Sequence, residues 1–86
     1  MRLEVWPQAD SDFEQIIAHY NALAPAELPG VLADIDRSLT WICEFPRAYP
    51  RLPGREYRRH VTSRYRFRIV YRAFSDRVEV MAIFRP

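Results

Sequence analysis

Apolar residues along this chain repeat with two different periods, and Pro46 separates them. Before it, Phe13, Ile16, Ile17 and Tyr20, then Leu28, Val31, Leu32, Ile35, Leu39, Ile42 and Phe45, recur at three- and four-residue spacing. That spacing puts one apolar stripe on each of two helices. After it, Tyr65, Phe67, Ile69 and Tyr71 alternate with Arg66, Arg68, Val70 and Arg72. A period of two, with aromatic and β-branched residues on one face, is the signature of a half-buried strand.

Taken in order, Arg2 to Trp6 alternates charged and apolar residues and predicts a short first strand. Pro7 stops it and suits a first helical turn, and Ser11 with Glu14 has the spacing of a capping box, so a helix is predicted near 8–23. Pro25, Pro29 and Gly30 break the chain before a second helix near 29–45, antiparallel to the first because the connection is short. Arg47 to Arg55 reads as loop. Strands follow at Tyr57–Val61, Tyr65–Arg72 and Val78–Phe84, with Ser75 and Asp76 at the last turn. The fold class is α+β in one domain over residues 1–86: a two-helix hairpin on one face of a small antiparallel sheet, in the order β-α-α-β-β-β. Phe13, Ile16, Ile17, Leu32, Ile35, Leu39, Ile42, Phe67, Ile69, Val80 and Ala82 form the expected core. Because both helices cover one face, the other stays open and shows Arg58, Arg66, Arg68, Arg72 and Arg85 around Val70, Met81 and Ile83. Apolar residues rimmed by charge on an uncovered face mark a contact surface.

Charge sharpens that picture. The net charge is only +2, yet Met1 to Glu44 holds two arginines against eight acids, whereas Phe45 to Pro86 holds eleven arginines against three. The first part is therefore −6 and the second +8. A basic half suits nucleic acid, a ribonucleoprotein or an acidic protein. Arg66, Arg68 and Arg72 would form a line of permanent charge with roughly 6–7 Å between alternate positions, from the strand rise. The single Cys43 cannot form an internal disulfide and sits in an apolar helical pattern, which fits a small core residue in a reducing cytoplasm. The first residues lack the apolar run of a signal peptide, and no apolar stretch approaches membrane-spanning length.

Catalytic chemistry is thinly represented. His19, His60 and Cys43 have no close-spaced ligand partners, so no metal site and no cofactor are expected. The pairs Asp10/Asp12 and Asp34/Asp36 diverge on helices and read as solvated charges. Ser63 with His60 lacks an orienting acid, and no glycine-rich phosphate loop exists.

Several local motifs resemble the RelE/ParE superfamily of type II toxin–antitoxin toxins. They are Ala9-Asp10-Ser11-Asp12-Phe13-Glu14 opening the first helix, Ile35, Leu39, Ile42 and Pro46 in the second, and Arg58-Arg59 leading to Tyr65-Arg66-Phe67-Arg68-Ile69-Val70-Tyr71-Arg72. Val78 to Ile83 is similar to the family's last strand. Arg66 stands where the family often has proline, and Arg85 occupies the approximate place of a family histidine. The resemblance implies a small cytoplasmic toxin neutralised by a cognate antitoxin, as a homodimer or a hetero-oligomer with it. ParE-like members act on DNA gyrase without enzymatic chemistry, which is the leading expectation; RelE-like members cleave messenger RNA on the ribosome, and an inactive relic that only binds the antitoxin is the third reading. If this chain were such a ribonuclease, Arg58, Arg68 and Arg85 would stabilise the transition state, with His60 or Tyr71 moving the proton. Partner or target contacts would fall on Arg58, Arg59, Arg66, Arg68, Arg72, Val70, Met81, Ile83 and Arg85. An acidic antitoxin segment is expected on that open face, with the groove between helices and sheet as the competing seat.

Overall fold

The computed structural model describes all residues, Met1–Pro86. Strand β1 (Arg2–Val5) leads into helix α1 (Pro7–Leu23), a 3-10 turn (Pro25–Glu27) and helix α2 (Leu28–Glu44). Strands β2 (Arg58–Val61), β3 (Arg68–Ala73) and β4 (Arg77–Phe84) complete the predicted order. The sheet runs β1-β4-β3-β2. β2, β3 and β4 are antiparallel neighbours, while β1 lies beside β4 in parallel, so the sheet is mixed. The α1–α2 hairpin is the crossover that carries the chain from one sheet edge to the other.

α1 begins at Pro7, whose missing N–H is no loss in a first turn. Ser11 is therefore inside the helix, and the predicted capping box does not form. α2 turns its stripe inward, burying Val31, Ile35 and Ile42 against Phe67, Ile69, Tyr71, Val78 and Val80. Ile16 is buried with them, and Phe13 and Leu39 pack on the rim half-buried. Ile17 and Leu32, expected inside, are only half-buried.

One irregularity changes the reading of β4. Val70 pairs with Ala82 but Tyr71 pairs with Val80, so Met81 is the extra residue of a β-bulge. A bulge inserts one residue and shifts the alternation beyond it. Val78 and Val80 face the helices as predicted, but past Met81 the inward residue is Ile83, only 6% exposed, and Ala82 turns to the open face. The expectation of Ile83 on the contact surface and Ala82 in the core is thus reversed. Truncating Ile83 to Ala should cost about 2–5 kcal/mol, as a buried isoleucine does, whereas Ala82→Ser should be close to neutral. Denaturant unfolding of the two variants checks the register.

β3 is also shorter than its sequence pattern. Residues 62–67 form a turn in which Arg66 has φ 65°, in the left-handed region that side chains rarely adopt. The strand starts at Arg68, which removes Arg66 from the predicted line of charge.

Candidate functional site

The cross-strand register assigns each predicted site residue to a face. Arg58 lies opposite Tyr71 and His60 opposite Ile69, both of which are fully buried under the helices. Arg58 and His60 therefore face the helical side, not the open face. Arg59 lies opposite Val70, and Val61 opposite Arg68, on the open side. The open face thus carries Arg59, Arg68, Arg72 and Val70, with Met81 at the bulge.

That face is more apolar than its charges suggest. Trp6, Leu52, Tyr57, Val70, Met81, Ala82 and Phe84 line a shallow depression of about 370 Å³. Arg68 lies over the Phe84 ring, 5.8 Å from its centroid, and donates from Nη2 to the Arg85 carbonyl at 3.3 Å. Arg72 is paired with Glu56 at 2.9 Å and lies over Phe74. Glu79 is the acid of this face. The Trp6 indole donates to it at 3.0 Å and Arg77 Nε at 2.8 Å, which holds its carboxyl below the usual carboxylate range. Only Arg2, Arg37, Arg72 and Arg77 meet a carboxylate at all. The other nine of the thirteen arginines have none.

Of the five groups named for ribonuclease chemistry, Arg58, His60 and Tyr71 share the helical side, while Arg68 and Arg85 lie elsewhere. Arg58 is used structurally: its Nη1 donates to the Tyr49 carbonyl at 2.6 Å and leans on that of Arg47 at 3.4 Å. Arg68 is on the opposite face. Arg85 folds back toward α1, its Nη1 2.8 Å from His19 Nδ1. Tyr71, the alternative proton carrier, is fully buried and donates to the Pro46 carbonyl at 2.9 Å. Burial pushes its pKa up to about 12 in spite of the nearby Arg58, so the phenol stays protonated.

Sequence reasoning missed Asp34. Read as a solvated helix charge, it is fully buried. Its carboxylate accepts from the backbone N–H of Arg64 at 3.2 Å and of Tyr65 at 2.8 Å, and from Arg37 Nη2 at 3.1 Å. Burial acts hardest on this carboxyl and favours protonation. The Thr62 hydroxyl, the two N–H groups and Arg37 together outweigh it and hold the pKa below the ordinary value. Asp34 thereby fastens the β2–β3 turn to α2. Gly30 makes room for the same turn, since a Cβ there would meet the Tyr65 hydroxyl at 2.8 Å and Arg64 Nη1 at 2.9 Å. Asp12 plays the corresponding part for β4, accepting from Ile83 N–H at 3.0 Å. A spacing signal for Asp34 existed: Val31, Asp34, Ile35, Ser38 and Ile42 all fall on the buried stripe of α2.

A second apolar surface lies between the helices and the sheet. Val5, Ala9, Phe13, Leu32, Ile35, Leu39, Val80 and Ile83 line a groove of about 230 Å³ with Asp10 and Asp36 among its lining residues. Its β1 side is poorly covered, for Leu3 and Val5 remain 37% and 41% exposed. No group of His, Cys, Asp or Glu is placed to hold a metal ion, and no helix is long and apolar enough to cross a membrane.

Residues 3–85 match the family described as ParE toxin of type II toxin–antitoxin system, parDE. The chain belongs to the ParE toxin family. Among solved structures, a chain of the chromosomal ParDE toxin–antitoxin system from P. aeruginosa superposes on it with a TM-score of 0.82. Identity is 20%, with 99% of this chain and 95% of that chain covered, and the likeness bears on the fold. A search of curated protein sequences finds no match. Two surfaces of this chain are lined mostly by apolar residues and border the sheet, the open basic face and the groove under the helices. They lie on opposite sides of the sheet.

Proposed function

We propose that this ParE-family toxin acts in the cytoplasm as a non-enzymatic inhibitor of DNA gyrase and is neutralised by a cognate antitoxin. The observation that carries the reading is the dispersal of the would-be catalytic groups. Arg58 and His60 lie on the helical side, Arg68 on the open face, and Arg85 against His19. Stabilising a transition state needs charges aimed at one point, and inhibition by occupancy needs only a complementary surface. The open face offers that surface: Arg59 and Arg68 without carboxylate partners, beside Val70, Met81 and Phe84. Charge of this kind speeds and orients association, and the desolvated apolar centre supplies most of the affinity. The antitoxin takes the other surface in this proposal. A segment that orders on binding must recover its lost entropy through apolar contact, and the groove beside Phe13, Leu32 and Leu39 is the deeper apolar seat.

The test is a supercoiling assay with relaxed plasmid and purified gyrase. The toxin should inhibit supercoiling, the antitoxin should restore it, and expression in cells should raise a DNA-damage response with filamentation. Messenger cleavage that requires ribosomes, with supercoiling unaffected, would reject the reading in favour of a RelE-like ribonuclease.

A further inference from the structure

Between α2, the segment after it and β2 lies a cavity of about 240 Å³ that neither surface above includes. Arg37, Ser38, Trp41, Tyr49, His60 and Ser63 line it. Its walls are fastened before any ligand arrives. Arg58 holds the Tyr49 carbonyl and Tyr71 the Pro46 carbonyl, which fixes the segment after α2 to the sheet. Asp34 pins the turn that carries Ser63 by its bonds to Arg64 and Tyr65.

The lining mixes flat apolar and hydrogen-bonding groups. Tyr49 packs edge-on against His60, with centroids 4.4 Å apart, and Trp41 is 48% exposed at the mouth beside Phe45. His60 Nδ1 is buried with no hydrogen-bond partner. A buried polar atom without a partner costs free energy, and the ring that carries it lines the cavity. Burial, only partly opposed by Asp34, lowers the His60 pKa, so its imidazole stays neutral, with one nitrogen to donate and one to accept. The local charge is positive: Arg37 lines the cavity, Arg58 holds the Tyr49 carbonyl behind its wall, and the one nearby acid, Asp34, is already bonded to Arg37 and two N–H groups.

An acidic side chain would use Arg37 and leave the rings and the imidazole idle. An aliphatic one would strand Ser38 and His60 without water. A planar heterocycle bearing a phosphate uses every group. We propose that this cavity binds a nucleotide, with the base against Trp41 and within reach of Ser38 and His60 and the phosphate at Arg37. Its volume falls below the roughly 300–1,000 Å³ of sites for larger ligands, so it takes one base, supplied by a free mononucleotide or by the end of a single strand. The inference does not depend on the gyrase reading.

The two tryptophans make the experiment self-controlled, because Trp6 bonds Glu79 on the opposite face. The uniformly nitrogen-15-labelled protein is titrated with adenosine, guanosine, cytidine and uridine monophosphates, then with short single-stranded oligonucleotides. The Trp41 indole and Ser63 amide signals should move while the Trp6 indole signal stays. Tighter binding of oligonucleotides identifies a strand end as the source, and equal binding a free nucleotide. Trp41→Leu, at an exposed position, should weaken binding roughly five- to hundredfold, as expected for loss of one stacking partner. Arg37→Gln should weaken monophosphates but not the parent nucleosides. The proposal falls if the Trp41 signal is unmoved at millimolar nucleotide, if inorganic phosphate alone reproduces the shifts, or if Trp41→Leu binds unchanged.

Discussion

Asp34→Ala should remove about 3–5 kcal/mol of stability, the cost of breaking a buried charged network by deleting one member. A domain of this size has about 5–15 kcal/mol in all, so the variant should unfold roughly 12–40 °C lower. The reason is specific: two backbone N–H groups of the β2–β3 turn lose a fully buried acceptor, and the half-exposed Arg37 loses its ion-pair partner. Asp34→Asn keeps one carbonyl acceptor and should lose less. Arg37→Ala, whose side chain is 52% exposed, should cost under about 1 kcal/mol. A melting temperature for Asp34→Ala within a few degrees of the parent would show that the turn does not depend on this carboxylate.

The same residue gives the fold an acid limit. The folded Asp34 pKa is depressed, so its contribution is complete above the ordinary aspartate value and is lost as pH falls through the folded one. His60 is also depressed, because burial favours the neutral ring. Unfolded His60 binds a proton below about pH 6.5, so stability starts to fall there, well before Asp34 protonates. Both effects have one sign: the protein weakens with acid. The upper part of that fall should vanish in His60→Gln and persist in Asp34→Asn, as followed by urea midpoints between neutral pH and pH 4.

The sequence made the helices, the strand order and the inward faces of α2 and β3 legible because a single period runs through each element. It concealed β4 because a bulge leaves no mark in residue type: Val80, Met81, Ala82 and Ile83 are all apolar, and only pairing with Val70 and Tyr71 shows which is extra. Arg58 went to the wrong face for a related reason. Four residues of β2, bounded by irregular chain, carry no clear alternation, and their direction is set by the partner strand. Asp34 was hidden by its charge, since a carboxylate is taken for a solvent group unless its place on the apolar stripe is given more weight. The scattering of Arg58, Arg68 and Arg85 follows from these local facts.

Separating the surfaces proposed for the antitoxin and for gyrase should give the largest functional effects. Val5→Arg puts a charge into the apolar groove at a position exposed enough to leave the fold intact. It should weaken antitoxin binding roughly thirtyfold or more, the loss seen when a central interface contact fails, with gyrase inhibition preserved. Reversing charge at Arg59 and Arg68 together, both exposed on the open face, should do the opposite. Gyrase inhibition should drop sharply and lose its salt dependence, because association is steered by those charges, while the antitoxin still binds. Met81→Asp should mainly speed dissociation from the target, since it strikes the apolar centre of that face and not its rim. If instead the double reversal frees the toxin from its antitoxin and Val5→Arg does not, the antitoxin sits on the open sheet face and blocks the target by covering the same arginines. Antitoxin affinity measured for both variants decides between the two arrangements, because the groove and the open face are separated by the full thickness of the sheet.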